Sequence, residues 1–238
     1  MTIHPLKISN LYKSFGTKKV LDQINLEVKK NEIFGFIGLN GVGKTTTIKI
    51  ILDLLTADSG EVEIFGKKAI LPSSRRDLAY LPEKFQPSNQ LKGTEFLKFV
   101  TGLHRQKFDL KEAQRIAKIL DLDKSALDLK IGHYSKGMTQ KLGLLGTFLS
   151  KANLIILDEP MSGLDPVARK NLKEQLITYK EEGHAIFFSS HILSDIDEIC
   201  DHIAILNNTK LIFTGQPQEF KKLQKENNLE KAFVKAIS

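Results

Sequence analysis

Ile33-Phe34-Gly35-Phe36-Ile37-Gly38-Leu39-Asn40-Gly41-Val42-Gly43-Lys44-Thr45 decides the fold. An apolar strand runs into G-x-x-x-x-G-K-[ST] and then into a helical run through Ile48, Ile51 and Leu52, which is the context a phosphate-binding loop requires. The glycines let the backbone curl so that successive N–H groups face phosphate oxygens, and the following helix adds the positive end of its dipole. Gly38, Asn40, Gly41, Gly43, Lys44, Thr45 and Thr46 are therefore the expected nucleotide ligands. Lys44 would hold the β- and γ-phosphates, and the Thr45 hydroxyl would sit on Mg²⁺.

Outward from this loop, short β-like stretches recur at Val62 to Phe65, Leu78 to Leu81, Leu154 to Leu157, Ala185 to Ser189, Ile203 to Leu206 and Leu211 to Thr214. Several are apolar without alternation, as a sheet covered on both faces demands, and helical patterns fall between several of them. The α/β class follows, with a mainly parallel sheet. Before the loop, Ile24, Leu26 and Val28 alternate with polar partners, which predicts an antiparallel β subdomain at the N-terminus. From about residue 85 to 150 strand signals vanish, and Ile116, Ile119 and Leu120 take helical spacing, so an inserted helical subdomain is expected there. Asp165-Pro166 reads as a helix start, the Asp capping free amides and the Pro at the first helical position. Residues from about 216 to 238, rich in Lys and Glu, read as a solvated helical tail. The whole is expected to be one domain spanning 1–238.

A second acid-bearing strand is Leu154-Ile155-Ile156-Leu157-Asp158-Glu159: four apolar residues deliver two carboxylates at the strand's C-terminal end, where open α/β sheets bind ligands. Asp158 can position Mg²⁺ through its waters, and Glu159 can polarise the water that attacks a γ-phosphorus.

Composition narrows the setting. Of the 238 residues, 41% are hydrophobic and 26% charged, the balance of a globular protein. The longest apolar runs fall far short of the roughly 20 residues a membrane helix needs, and the first residues carry no secretory pattern. A single cysteine, Cys200, offers neither disulfide nor thiolate metal site and fits a reducing compartment. The net charge of +7 comes from scattered lysines rather than a basic stripe, so no nucleic-acid partner is expected.

Taken in order with those that follow, these features resemble the nucleotide-binding subunit of ATP-binding cassette (ABC) transporters, a P-loop NTPase family, over nearly the whole chain. The most specific element is Tyr134-Ser135-Lys136-Gly137-Met138, which looks like the family's L-S-G-G-Q signature with changes. The resemblance implies that Ser135 and Gly137 contact the γ-phosphate of a nucleotide held by another subunit. The Y-S-K-G-M variant is similar to that of subunits driving drug, lipid or polysaccharide export. Ser162-Gly163-Leu164-Asp165 resembles the D-loop that crosses to the other subunit, His191 the switch histidine that contacts γ-phosphate, and Tyr12 the aromatic that stacks on adenine.

Glu83 in Tyr80-Leu81-Pro82-Glu83 stands where the family usually has Gln. A carboxylate there can approach Mg²⁺ or the water but adds negative charge near phosphate and, when ionised, cannot donate a hydrogen bond. The segment after it, with Phe85, Leu91 and Phe96, is where the resemblance places the membrane partner's coupling helix.

The resemblance thus implies ATP and Mg²⁺ as cofactors, Glu159 and His191 as catalytic residues, and a transmembrane permease subunit as partner. It also implies a second nucleotide-binding subunit in a head-to-tail dimer, and a peripheral place on the cytoplasmic side of the cell membrane. Two rivals stand beside it. A soluble ABC-type ATPase acting on ribosomes or nucleic acid usually carries two cassettes in one chain or a long coiled insertion, and the sequence shows neither. A regulatory module without turnover would explain Glu83 and the altered signature, but not the intact Lys44, Asp158, Glu159 and His191.

Overall fold

The computed structural model describes residues 3–237. In chain order the elements are β1 (Leu6–Phe15), β2 (Lys18–Val28), β3 (Ile33–Ile37), α1 (Lys44–Ile51), β4 (Ser59–Ile64), β5 (Lys67–Lys68), β6 (Leu78–Leu81), α2 (Gly93–Leu103), α3 (Leu110–Ile119) and α4 (Lys136–Leu149). They continue with β7 (Leu154–Asp158), α5 (Pro166–Glu181), β8 (Ala185–Ser190), α6 (Leu193–Ile199), β9 (His202–Asn207), β10 (Lys210–Gly215), α7 (Pro217–Gln224) and α8 (Leu229–Ile237). Strands β9-β3-β8-β7-β6 lie parallel in one sheet, with β10 added antiparallel beside β9. A second, antiparallel sheet has the order β2-β1-β4-β5.

The apolar runs are continuous because both faces of the parallel sheet are covered. Along β3, Phe34 and Phe36 join one core with the antiparallel sheet and α1, while Ile33 and Ile37 join the other with the helices. The same two-residue period divides β7, with Leu154 and Ile156 on one side and Ile155 and Leu157 on the other. Val62 to Phe65 is the one stretch from the β-like series that leaves this sheet: its first three residues end β4, which pairs with β1, and Phe65 lies past the strand. A half-buried strand with Glu61 and Glu63 outward suits a sheet with one wet face.

Helices α2, α3 and α4 all lie between β6 and β7, the stretch where strand signals vanish. Asp165 caps α5 as its sequence predicts, accepting a hydrogen bond from Ala168 N at 2.9 Å.

The C-terminal segment corrects the sequence reading: it is docked, not solvated. Phe220 on α7 and Leu229, Ala232 and Phe233 on α8 are buried in the core beneath the helices, and Phe220 packs on Phe213 of β10 with ring centroids 4.9 Å apart. Its Lys and Glu residues occupy the outer face of amphipathic helices whose apolar residues are few but large. Ser238 lies outside the described residues. Phe220→Ala is therefore expected to cost about 3–5 kcal/mol of stability, read as a shift of the urea midpoint at unchanged slope.

Candidate functional site

Parallel register brings three strand ends together: Ile37 lies beside Ser190, and Ser189 beside Asp158. The residues that follow these ends, Gly38 to Thr46, Glu159 and His191, therefore meet at one edge of the sheet. They enclose a cleft of about 280 Å³ lined by Asn40, Gly41, Gly43, Lys44, Thr45, Thr46, Glu83, Asp158, Glu159, Ser162 and His191.

The loop's glycines are required by its path. Gly43 has φ +124°, outside the range of L side chains, and a Cβ on Gly38 would come within 2.7 Å of the Leu206 carbonyl oxygen. Gly43 is the N-cap of α1 and has no side chain to satisfy the first-turn amides. Those N–H groups and the helix dipole are left for an anion.

Inside the cleft three ionisable groups are almost fully buried: Lys44 (6% exposed), Asp158 (2%) and Glu159 (7%). Burial on this scale demands partners. Lys44 Nζ donates to Gly38 O at 2.7 Å and lies 3.5 Å from Glu159 Oε1. Asp158 Oδ1 accepts from the Ser189 hydroxyl at 2.5 Å, and Oδ2 from the Thr45 hydroxyl at 3.2 Å. Glu159 Oε2 lies 2.8 Å from His191 Nδ1 and accepts from His191 N at 3.4 Å.

Glu159 Oε1 is the exception, buried with no hydrogen-bond partner beyond the nearby Lys44 charge. The backbone aims this carboxylate: Glu159 sits at φ +51°, a left-handed conformation costly for a residue with a Cβ. Ser162 N donates to Glu159 O at 3.0 Å and closes the turn. Burial, then the negative charges of Asp158 and Glu83, push the Tyr80 phenol up to about 12, so it stays protonated beside the cleft.

Thr45 and Asp158 fit a magnesium ion. They offer two hard oxygens 3.2 Å apart, and no cluster of three or more His, Cys, Asp or Glu side chains that could hold a metal exists among the described residues. Mg²⁺ suits such a place because it draws most of its ligands from phosphate and water rather than from a protein cage.

Three predicted residues lie elsewhere. Tyr12 on β1 does not line the cleft; its ring faces Lys19 Nζ, 5.6 Å from the centroid. Ser135 is the exposed N-cap of α4, accepting from Met138 N at 3.2 Å, and Gly137 follows in the first turn. Neither lines the cleft of its own chain. Glu83 is exposed and lies between the cleft and a larger groove of about 630 Å³ that includes Phe85 and Tyr134.

Sequence reading passed over Ser189, which holds Asp158, and Gln140, whose Nε2 donates to Pro160 O at 3.3 Å. A serine at the end of an apolar strand was the available signal for the first. The second had none, because its bond depends on how α4 lies across the strand end.

A family profile described as ABC transporter matches residues 21–162, which take in the phosphate loop, Glu83, Ser135, Gly137, Asp158 and Glu159. An uncharacterized ABC transporter ATP-binding protein of Synechocystis is 36% identical over 224 residues, covering 90% of this chain; the chain spans 62% of that relative's length. The bacitracin transport ATP-binding protein of Bacillus licheniformis is 35% identical over 216 residues, which is 87% of this chain and 68% of that protein. A solved structure described as the ATP-binding subunit of an ABC transporter superposes with a TM-score of 0.89 at 30% identity and full coverage of both chains.

Proposed function

The chain belongs to the ABC transporter family, and from that premise we propose that it binds and hydrolyses ATP in a head-to-tail dimer to power substrate movement through a separate membrane subunit. The carrying observation is the buried Glu159 carboxylate. One oxygen is tied to His191 and the other is unpartnered, beside a lysine and a helix N-terminus with open amides.

In this reading Lys44 and the first-turn amides of α1 hold the phosphates, and Thr45 and Asp158 hold Mg²⁺, which neutralises charge on the phosphates when bound. Glu159 Oε1 accepts a proton from the attacking water as its oxygen bonds to the γ-phosphorus and the bond to ADP breaks, giving ADP and phosphate. His191 Nδ1 orients that carboxylate. Its ring is half exposed on the cleft side, with Nε2 left for the γ-phosphate. In this reading Tyr12 stacks on the adenine.

Ser135 and Gly137 point to the dimer. Ser135 caps, and Gly137 lies in the first turn of, a helix whose exposed N-terminus stands outside the cleft of its own chain, and a nucleotide held by a second subunit would complete both sites. The γ-phosphate then contacts both subunits, and its loss on hydrolysis lets them part. Among the described residues no helix is long and apolar enough to cross a membrane; in this reading the chain is a peripheral subunit on the cytoplasmic face, carried by a permease. The signature variant supports the exporter branch.

ATPase activity of the chain alone, and after co-expression with its permease in lipid, tests this. Stimulation by the permease that Lys44→Ala removes is the expected result. Stimulation by ribosomes or DNA instead would transfer the function to the soluble-ATPase reading.

A further inference from the structure

The loop from Pro160 to Asp165, which joins Glu159 to α5, is fastened at both ends to the first turns of α4. At its start Gln140 Nε2 donates to Pro160 O at 3.3 Å. At its end Lys141 Nζ meets Asp165 Oδ2 at 3.3 Å, while also donating to Asp121 O at 2.8 Å and reaching Asp121 Oδ2 at 3.2 Å. Between these points Gly163 lies against the first turn of the same helix, so close that a Cβ on Gly137 would stand 3.3 Å from Gly163 O.

Gln140 and Lys141 are 6% and 7% exposed, and neither lines the cleft around Lys44. A lysine is seldom buried unless its ammonium is fully engaged, and here the acceptors come from two other segments, the turn after α3 and the cap of α5. Lys141 therefore locks three pieces of backbone together from outside the cleft around Lys44.

We propose that Gln140 and Lys141 are positioning residues that make the 160–165 loop ride with the head of α4, so that nucleotide captured at Ser135 and Gly137 sets the orientation of Glu159 in the same chain. The inference rests on the ATPase reading above. Its physical chain is short: Ser135 caps α4, Gln140 lies on the second turn, and its acceptor Pro160 is bonded directly to Glu159. Glu159 N is tied to Ser189 O of β8 at 3.2 Å, but its carbonyl side belongs to the turn and its backbone conformation is uncommon, so displacing Pro160 reorients the carboxylate. A shift of about 1 Å at a reacting group can cost about a hundredfold in rate.

Steady-state ATP hydrolysis by the permease-bound protein, with ATP-analogue binding by the subunit alone, tests this in Lys141→Met, Lys141→Arg, Asp165→Asn and the Lys141→Met/Asp165→Asn double variant. Lys141→Met is expected to lower kcat about tenfold with nucleotide affinity unchanged. The arginine variant, whose guanidinium can serve the same acceptors, should recover most of the rate. The double variant should be no slower than Lys141→Met, because both changes cut one tie.

If Lys141→Met does not fold, Asp165→Asn carries the test, since asparagine keeps the capping acceptor for Ala168 N and removes the charge. A kcat loss without an affinity loss is again expected. Unchanged kcat in the folded variants, or kcat and affinity falling together, would overturn the inference while wild-type turnover and an inactive Lys44→Ala leave the ATPase reading intact. Wild-type protein without turnover, or turnover indifferent to Lys44→Ala, would overturn both.

Discussion

Replacing Glu159 by glutamine is expected to cut ATP turnover by about a thousandfold, within the range for a general base, while ATP binding persists. The amide keeps the shape of the carboxylate and its reach toward His191, but it cannot take a proton from water. Binding should hold or tighten, because the substitution removes a negative charge 3.5 Å from the Lys44 ammonium, which is then wholly available to phosphate. With ATP bound and not hydrolysed, the closed dimer should accumulate, since the contact that joins the subunits is never lost. Single-turnover hydrolysis and the ATP-dependent mass in solution read the two effects separately. Unchanged turnover would remove Glu159 from its assigned role and leave the phosphate loop's assignment standing.

Lys44→Ala is expected to weaken ATP binding by about a hundredfold, since a charged hydrogen bond contributes about 1.5–3 kcal/mol and a factor of ten corresponds to about 1.4 kcal/mol. Turnover at cellular ATP should then fall to background. The empty protein should suffer as well. Lys44 is buried, and removing it strips Gly38 O of a donor and leaves Glu159 Oε1 with no charge beside it. Orphaning a buried acceptor costs about 1–3 kcal/mol, so the nucleotide-free variant should also unfold at lower urea. Titration calorimetry gives the first quantity and chemical denaturation the second. Full affinity in the variant would place nucleotide elsewhere.

Much of the cleft's lining was legible because its parts are contiguous. The phosphate loop announces itself by spacing, and Asp158 and Glu159 by the apolar strand that delivers them. Asp165 was legible as a cap for the same reason, since a capping residue and the amide it binds lie within one turn. Ser135, Gly137 and His191 were assigned by order along the chain and not by local chemistry, which a short cap or a lone histidine does not distinguish. The C-terminal helices were misread because their charge is abundant and their apolar contacts few: Phe220 and Phe233 decide the burial, and composition hides them.

By itself the sequence determined an α/β core, its mainly parallel sheet covered on both faces, with a phosphate loop at a strand end, since strand and helix periods and glycine spacing are written in neighbouring residues. Tertiary structure alone decided which strands are adjacent, and with that the Thr45 bond to Asp158 across 113 positions and the Ser189 bond to Asp158 across 31. It also placed Ser135 and Gly137 outside their own cleft, set Tyr12 against Lys19, and tied Lys141 to Asp121 and Asp165. Such contacts depend on sheet order and on how helices cross it, and these follow from burying whole faces at once rather than from any local pattern.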